Sequence, residues 1–85
     1  MTPYEQWRRL KREHDGHIVF VLLGDFYEAF EEDALVVRDV CGIQPLSRKF
    51  GDTRVIMAGV PRSSAYAYSE TLIKAGYKVA LAEMA

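Results

Sequence analysis

Gly24-Asp25-Phe26-Tyr27-Glu28-Ala29-Phe30 is the stretch on which the reading of this chain turns. It follows the unbroken apolar run Ile18-Val19-Phe20-Val21-Leu22-Leu23 and leads straight into Glu31-Glu32-Asp33. Three aromatic rings in five positions, placed where a buried strand ends, are more apolar surface than an ordinary loop carries. Either all three rings belong to the core, or one of them faces outward for a reason.

Upstream, residues 17–23 show no polar alternation and are rich in β-branched and aromatic side chains. That pattern predicts a strand covered on both faces, the central strand of a sheet. Downstream, Tyr27, Phe30, Ala34, Val37 and Cys41 recur at i, i+3, i+7, i+10 and i+14, which predicts a helix running from the motif to Val40 or Cys41. On this reading Gly24 permits the sharp exit and Asp25 is the N-cap. Glu28, Glu31, Glu32 and Asp33 then fill the first turns, where the positive end of the helix dipole favours carboxylates. Tyr27 and Phe30 fall within the apolar stripe. Phe26 falls at its border and is the ring most free to project, although border positions often pack; core and surface both stay open for it.

Working outward, Thr2 is a good N-cap and Pro3 suits the first helical position. Tyr4, Trp7, Leu10 and Lys11 share a helical face, so residues 3 to about 14 form an amphipathic helix. Its other face carries Arg8, Arg9 and Arg12. Gly42 is the left-handed cap of the second helix, and residues 43–46 form a short edge strand, because Pro45 has no N–H for a central ladder. Residues 47–53 read as a hairpin tip, 54–57 as the returning strand and 58–61 as a turn. Ser63 or Ser64 caps a third helix reaching about Ala75, with Tyr66, Leu72 and Ile73 inward, and residues 77–82 form a last strand. The expected fold is α/β, a mixed sheet of about four strands packed by three helices, in one domain spanning residues 1–85.

A hydrophobic fraction of 49 % supports a packed core rather than disorder, which matters because the single Cys41 leaves no intramolecular disulfide to help so small a domain. Eleven basic against twelve acidic residues give a net charge of -1, so no global cationic field draws in nucleic acid; such a role must rest on local patches. The longest apolar run is far short of the roughly 20 residues of a membrane span, and the start carries no apolar leader. The expectation is a cytoplasmic protein without membrane contact.

No phosphate-cradling G-x-x-x-x-G-K-[ST] loop is present, so ATP hydrolysis is not expected. His14, His17 and Cys41 make a weak metal set, and no serine or cysteine sits on a nucleophile elbow. The one enzymatic alternative is a carboxylate site: Asp25, Glu28 and Glu32 could hold Mg²⁺ and a phosphate ester, although no basic residue is fixed nearby by the sequence.

The signature at residues 24–30 resembles the G-D-F-Y-E-x-F motif of the amino-terminal, mismatch-recognition domain of bacterial MutS proteins. Thr2-Pro3, Glu32-Asp33-Ala34, Met57-Ala58-Gly59-Val60-Pro61 and residues 72–80 agree in order, so the resemblance runs over nearly the whole chain. It implies that Phe26 enters the minor groove as a wedge and stacks on a mispaired base, and that Glu28 hydrogen-bonds that base. A carboxylate there is repelled by intact duplex and tolerated only where it meets a base N–H or is itself protonated. The implied partner is double-stranded DNA with mispaired or unpaired bases, together with remaining MutS domains or another MutS subunit. No cofactor is implied within this chain; ATP and Mg²⁺ belong to the family's ATPase domain.

Departures are Arg62-Ser63-Ser64 after Gly-Val-Pro, Gln44-Pro45 before the hairpin, and Glu83-Met84-Ala85 at the end of the last strand. The family's closing strands, connector, clamp and ATPase domains are not represented, so the expectation is either an excised fragment or a free-standing homologue, with weak binding to DNA alone. Arg48 and Lys49, with Arg8, Arg12 and Arg62, are the candidate backbone contacts, against the plainer reading of solvated cations. The alternative function is a domain whose fold serves protein contacts without mismatch binding.

Overall fold

Strand alternation, not helical periodicity, governs the signature in the computed structural model, which describes residues 1–83. β1 (His17–Leu23) and β2 (Phe26–Phe30) form an antiparallel hairpin with Val21 opposite Glu28 and Leu23 opposite Phe26. The two-residue turn between them has positive φ only at Gly24 (63°), the first-position glycine of a II′ hairpin turn. Asp25 is therefore a turn residue rather than a helix cap. The helix predicted across the motif, α2 (Glu31–Cys41), begins only after it. Tyr27 and Phe30 are both buried, which mimicked a helical stripe, yet in a strand residues three apart point to opposite faces. This sheet is covered on both faces there, so both rings find a core. The chain passes from β2 to α2 without a loop at Glu31, whose φ of 50° is the only positive value at a non-glycine among the described residues.

Five strands, not four, make the mixed sheet, with β3 (Leu46–Phe50), β4 (Thr53–Pro61) and β5 (Lys78–Ala82) in the order β3-β4-β2-β1-β5. The central strand is thus β2, with β1 beside it pairing in parallel with β5. The turn expected over residues 58–61 is instead the far half of β4, which runs on to pair with all of β2, from Phe30 opposite Met57 to Phe26 opposite Pro61. A short 3-10 turn (Arg62–Ser64) leads into α3 (Ala65–Lys74). Ala65, Ser69 and Leu72 face inward on α3, while Tyr66 and Ile73 point out at 85 % and 56 % exposure. Leu72 is inward as expected, but Tyr66 and Ile73 are not: the small Ala65 and polar Ser69 hide the rest of the stripe from a hydrophobicity pattern.

The two sheet faces carry separate cores. On one, α2 and α3 cover Ile18, Phe20, Tyr27, Ala29 and Val60. On the other, α1 (Pro3–Glu13) lays Trp7 against Val19, Val21, Phe30, Val55 and Met57. Thr2 caps α1 in a reciprocal capping box with Glu5, as its sequence predicted for the cap. Tyr4 and Trp7 stand 5.7 Å and 5.9 Å from the Phe30 ring, centroid to centroid.

α1 is held there by one buried carboxylate. Asp33, in the first turn of α2 and 2 % exposed, accepts from the Trp7 indole (3.2 Å), the Val19 backbone N–H (3.0 Å) and the Lys11 ammonium (3.0 Å). Lys11 also donates to the His17 carbonyl at 2.6 Å. The Val19 N–H lies beyond the last β1–β2 pair, where β2 has already turned away, and would otherwise be an orphaned buried donor. By sequence Asp33 shares the helix-dipole role of Glu31 and Glu32; its burial sets it apart.

Asp33→Ala should therefore lower unfolding free energy by about 3 kcal/mol or more in urea titrations, because it strands two buried donors, the Trp7 indole and the Val19 N–H, and the Lys11 cation. Glu32→Ala should change it by less than about 0.5 kcal/mol. Equal effects would contradict the hub.

Candidate nucleic-acid interface

α1 covers only one end of its sheet face. Period two puts Phe26, Glu28 and Phe30 on that face together, with Phe30 under Trp7 and Phe26 beyond the helix at the hairpin end. The consequence is a gradient in exposure: Phe30 0 %, Tyr27 7 % on the opposite face, and Phe26 46 %. Phe26 pairs with Leu23 on one side and Pro61 on the other, and the Arg62 N–H donates to the Asp25 carbonyl at 2.8 Å, tying the turn to the chain that leaves β4. A surface depression beside the ring is lined by Asp25, Pro61, Arg62 and Ser63.

Glu28 sits two residues along, between Val21 of β1 and Gly59 of β4. Its carboxylate is half-buried and lies over the bare backbone at Gly59. Burial pushes its carboxyl above the usual glutamate value, opposed in part by the positive field of Arg48. Among the described residues none forms an ion pair with it. Its expected place in the first turn of a helix is thus corrected to a strand position on the sheet.

The five candidate cations are differently placed. Arg48 lies on β3 opposite Val55, on the face shared by Phe26 and Glu28, with its guanidinium 5.0 Å from the Phe50 ring centre. Lys49 pairs with Arg54 and so belongs to the opposite face. Arg8 lies over Tyr4 at 5.9 Å on the covering helix, and Arg12 follows one turn later, exposed. Arg62 borders the Phe26 depression and pairs at 3.6 Å with Glu83, which also accepts from the Tyr27 hydroxyl at 3.2 Å. Burial first, and then this hydrogen bond, raise the Tyr27 phenol above its ordinary value.

The carboxylate alternative is not assembled. Asp25 is in the hairpin turn, Glu28 on the sheet and Glu32 exposed on α2, and among the described residues no three His, Cys, Asp or Glu side chains come together as a metal set. His14 and His17 meet edge to face at 5.6 Å, while Cys41 packs against the other core and its thiol is raised by burial. Among the described residues no helix is long and apolar enough to cross a membrane. Sequence reasoning missed Gly59 and Glu83; a glycine inside the continuous apolar run Val55–Val60 is the one signal that could have flagged the first.

Fold and site together define a small α/β domain that presents an exposed ring and a half-buried carboxylate side by side on the open part of a sheet face. The chain matches MutS domain I over residues 2–85, and it belongs to that family. The DNA mismatch repair protein MutS of Bacillus subtilis is 48 % identical over 84 residues, covering 96 % of this chain and 10 % of that protein. Those of Thermodesulfovibrio yellowstonii and Geobacillus kaustophilus are each 44 % identical, over 98 % and 93 % of this chain and 10 % and 9 % of theirs. The chain thus spans about a tenth of the length of the curated relatives it matches.

A carboxyl raised in the folded state disfavours folding when ionised. Its contribution is fully present below the unfolded glutamate value and is lost as pH rises through the folded one. Glu28→Gln should accordingly melt a few degrees higher than the parent at pH 7, with the gap closing as pH falls toward about 4. A variant less stable at pH 7 would contradict that placement of the carboxylate.

Proposed function

We propose that this domain recognises mispaired or unpaired bases in duplex DNA, with Phe26 entering from the minor groove as a wedge and Glu28 meeting the displaced base. The exposure of Phe26 beside two buried rings is the observation that carries this reading. A half-exposed phenyl ring on a rigid central strand is preorganised: little of it must be uncovered, and the strand does not have to move. Insertion between base pairs costs about a few kcal/mol of unstacking per step, and a mispair has already lost part of that stacking. Selectivity then follows from deformability as much as from base identity.

Glu28 adds discrimination by its charge. An ionised carboxylate is repelled by the phosphates of intact duplex, whereas a carboxyl with a raised value takes up a proton more readily and can donate to a base acceptor. Arg48, on the same face, is the cation best placed for a flanking phosphate, with Arg62 beside the ring and Arg8 and Arg12 on the covering helix. At a net charge of -1 these few contacts supply little counterion release, so binding by the domain alone is weak and strongly salt-dependent. The reading gives the chain a place within a cytoplasmic MutS-like repair protein, which associates with the nucleoid when on DNA. There the remaining domains or a second subunit hold the duplex while Phe26 probes it. It assigns this domain no catalysis and no cofactor of its own. A second reading, a fold serving protein contacts, is favoured by the exposed Tyr66 and Ile73 of α3, and both surfaces can serve one assembly.

Phe26→Ala should leave stability within about 1 kcal/mol of the parent, since the ring is half in solvent. It should remove about 1–3 kcal/mol of preference for mispaired over paired duplex in low-salt anisotropy titrations at high protein concentration. An unchanged preference would sink the wedge and leave the protein-contact reading.

A further inference from the structure

Gly59 departs from the other glycines of the chain. The other five all have positive φ and open space where a Cβ would stand, so they serve turns and caps. Gly59 is the reverse: it lies inside β4 with no left-handed backbone to require it, and the space above its Cα is occupied. A glycine within a strand is unfavourable for want of a side chain to pack and for its greater freedom when unfolded. The occupant that makes it necessary is a single group. The three atoms nearest to a Cβ built at residue 59 all belong to the Glu28 carboxylate, with Cδ and Oε2 at 2.6 Å.

From this geometry we propose that Gly59 is a positioning residue. Its bare backbone is the seat that holds the Glu28 carboxylate against the sheet, at a fixed place two residues along the strand from the Phe26 ring. Glu28 and Gly59 are direct cross-strand partners, so the seat is set by the β2–β4 register and not by a mobile loop. With no ion pair to hold the carboxylate among the described residues, shape is what places it; Arg48, whose positive field reaches it, makes no ion-pair contact with it. The obstruction is the far end of a flexible side chain and not backbone. An added methyl would therefore displace the carboxylate and leave the strand intact. The role in DNA recognition rests on the proposed function above; the seat itself does not.

The test uses the 85-residue chain and its variants Gly59→Ala, Glu28→Ala and the double variant. Carbon-detected NMR follows the Glu28 carboxyl through a pH titration, and anisotropy at low salt compares a duplex carrying one mispair with its paired counterpart. In Gly59→Ala the domain should stay folded, the Glu28 carboxyl should titrate lower, toward an ordinary exposed glutamate, and the mispair preference should fall to that of Glu28→Ala. Adding Gly59→Ala to Glu28→Ala should change that preference no further. A Glu28 titration unchanged in Gly59→Ala would overturn the seat. So would loss of folding on adding Gly59→Ala in both the parent and the Glu28→Ala background, since the glycine would then serve the backbone. A displaced titration with mispair preference intact would uphold the seat and overturn the part of Glu28 in recognition.

Discussion

The Asp33 carboxylate is the constraint on which the arrangement depends. β2 leaves the sheet at Phe30 to become α2, and this abrupt exit uncovers the Val19 N–H of β1. Asp33 closes the gap from the first turn of that same helix, and its remaining acceptor capacity takes the Trp7 indole and the Lys11 ammonium. One group thus joins the strand-to-helix switch to the docking of α1. A buried carboxylate is costly unless it is hydrogen-bonded, and here three donors engage both of its oxygens. The position of α1 follows, and with it the division of the sheet face into a covered end at Phe30 and a bare end at Phe26.

That division is what a wedge needs. A ring meant to enter a stack of bases must be exposed before contact and rigid enough to bear the load. Phe26 is exposed because α1 stops short of it, and rigid because it is paired on both sides, with Leu23 and with Pro61. The neighbouring acid is held by the same ladder: Glu28 is flanked by Val21, which is fully buried, and by Gly59, which offers it room. Hydrophobic burial at one end of the strand and an uncovered apolar ring at the other are two outcomes of one period-two pattern. A single five-residue strand carries both the core and the proposed contact.

Much of this was legible in the residues, and the part that was not has physical causes. The α1 cap and stripe, the β1 run and the α/β class follow from local signals strong enough to survive tertiary context. The resemblance of residues 24–30 to the MutS motif pointed to the family to which the chain belongs. The misreading of Phe26–Phe30 as helix arose because a strand buried on both faces has no alternation, and Tyr27 and Phe30 fall by chance at helical spacing. Asp33 could not be told from Glu31 and Glu32, because its partners lie in two other elements. Gly59 looked like a turn residue for want of a reason to sit in a strand; the reason is a side chain on the neighbouring strand. The misses at Asp33 and Gly59 concern long-range contacts, which a local pattern cannot encode.

The proposed recognition of a mispair takes place on the bare end of the α1 face. Amide and ring-proton shift mapping by NMR, with the labelled chain titrated at low salt by a duplex carrying one mispair and by its paired counterpart, tests it most directly. Perturbations should centre on Phe26, Glu28, Gly59 and Arg62 and extend to Arg48. They should be larger for the mispaired duplex, with contacts from the Phe26 ring to protons of the mispaired step. Perturbations centred on Tyr66 and Ile73 of α3, or equal in size for the two duplexes, would contradict it.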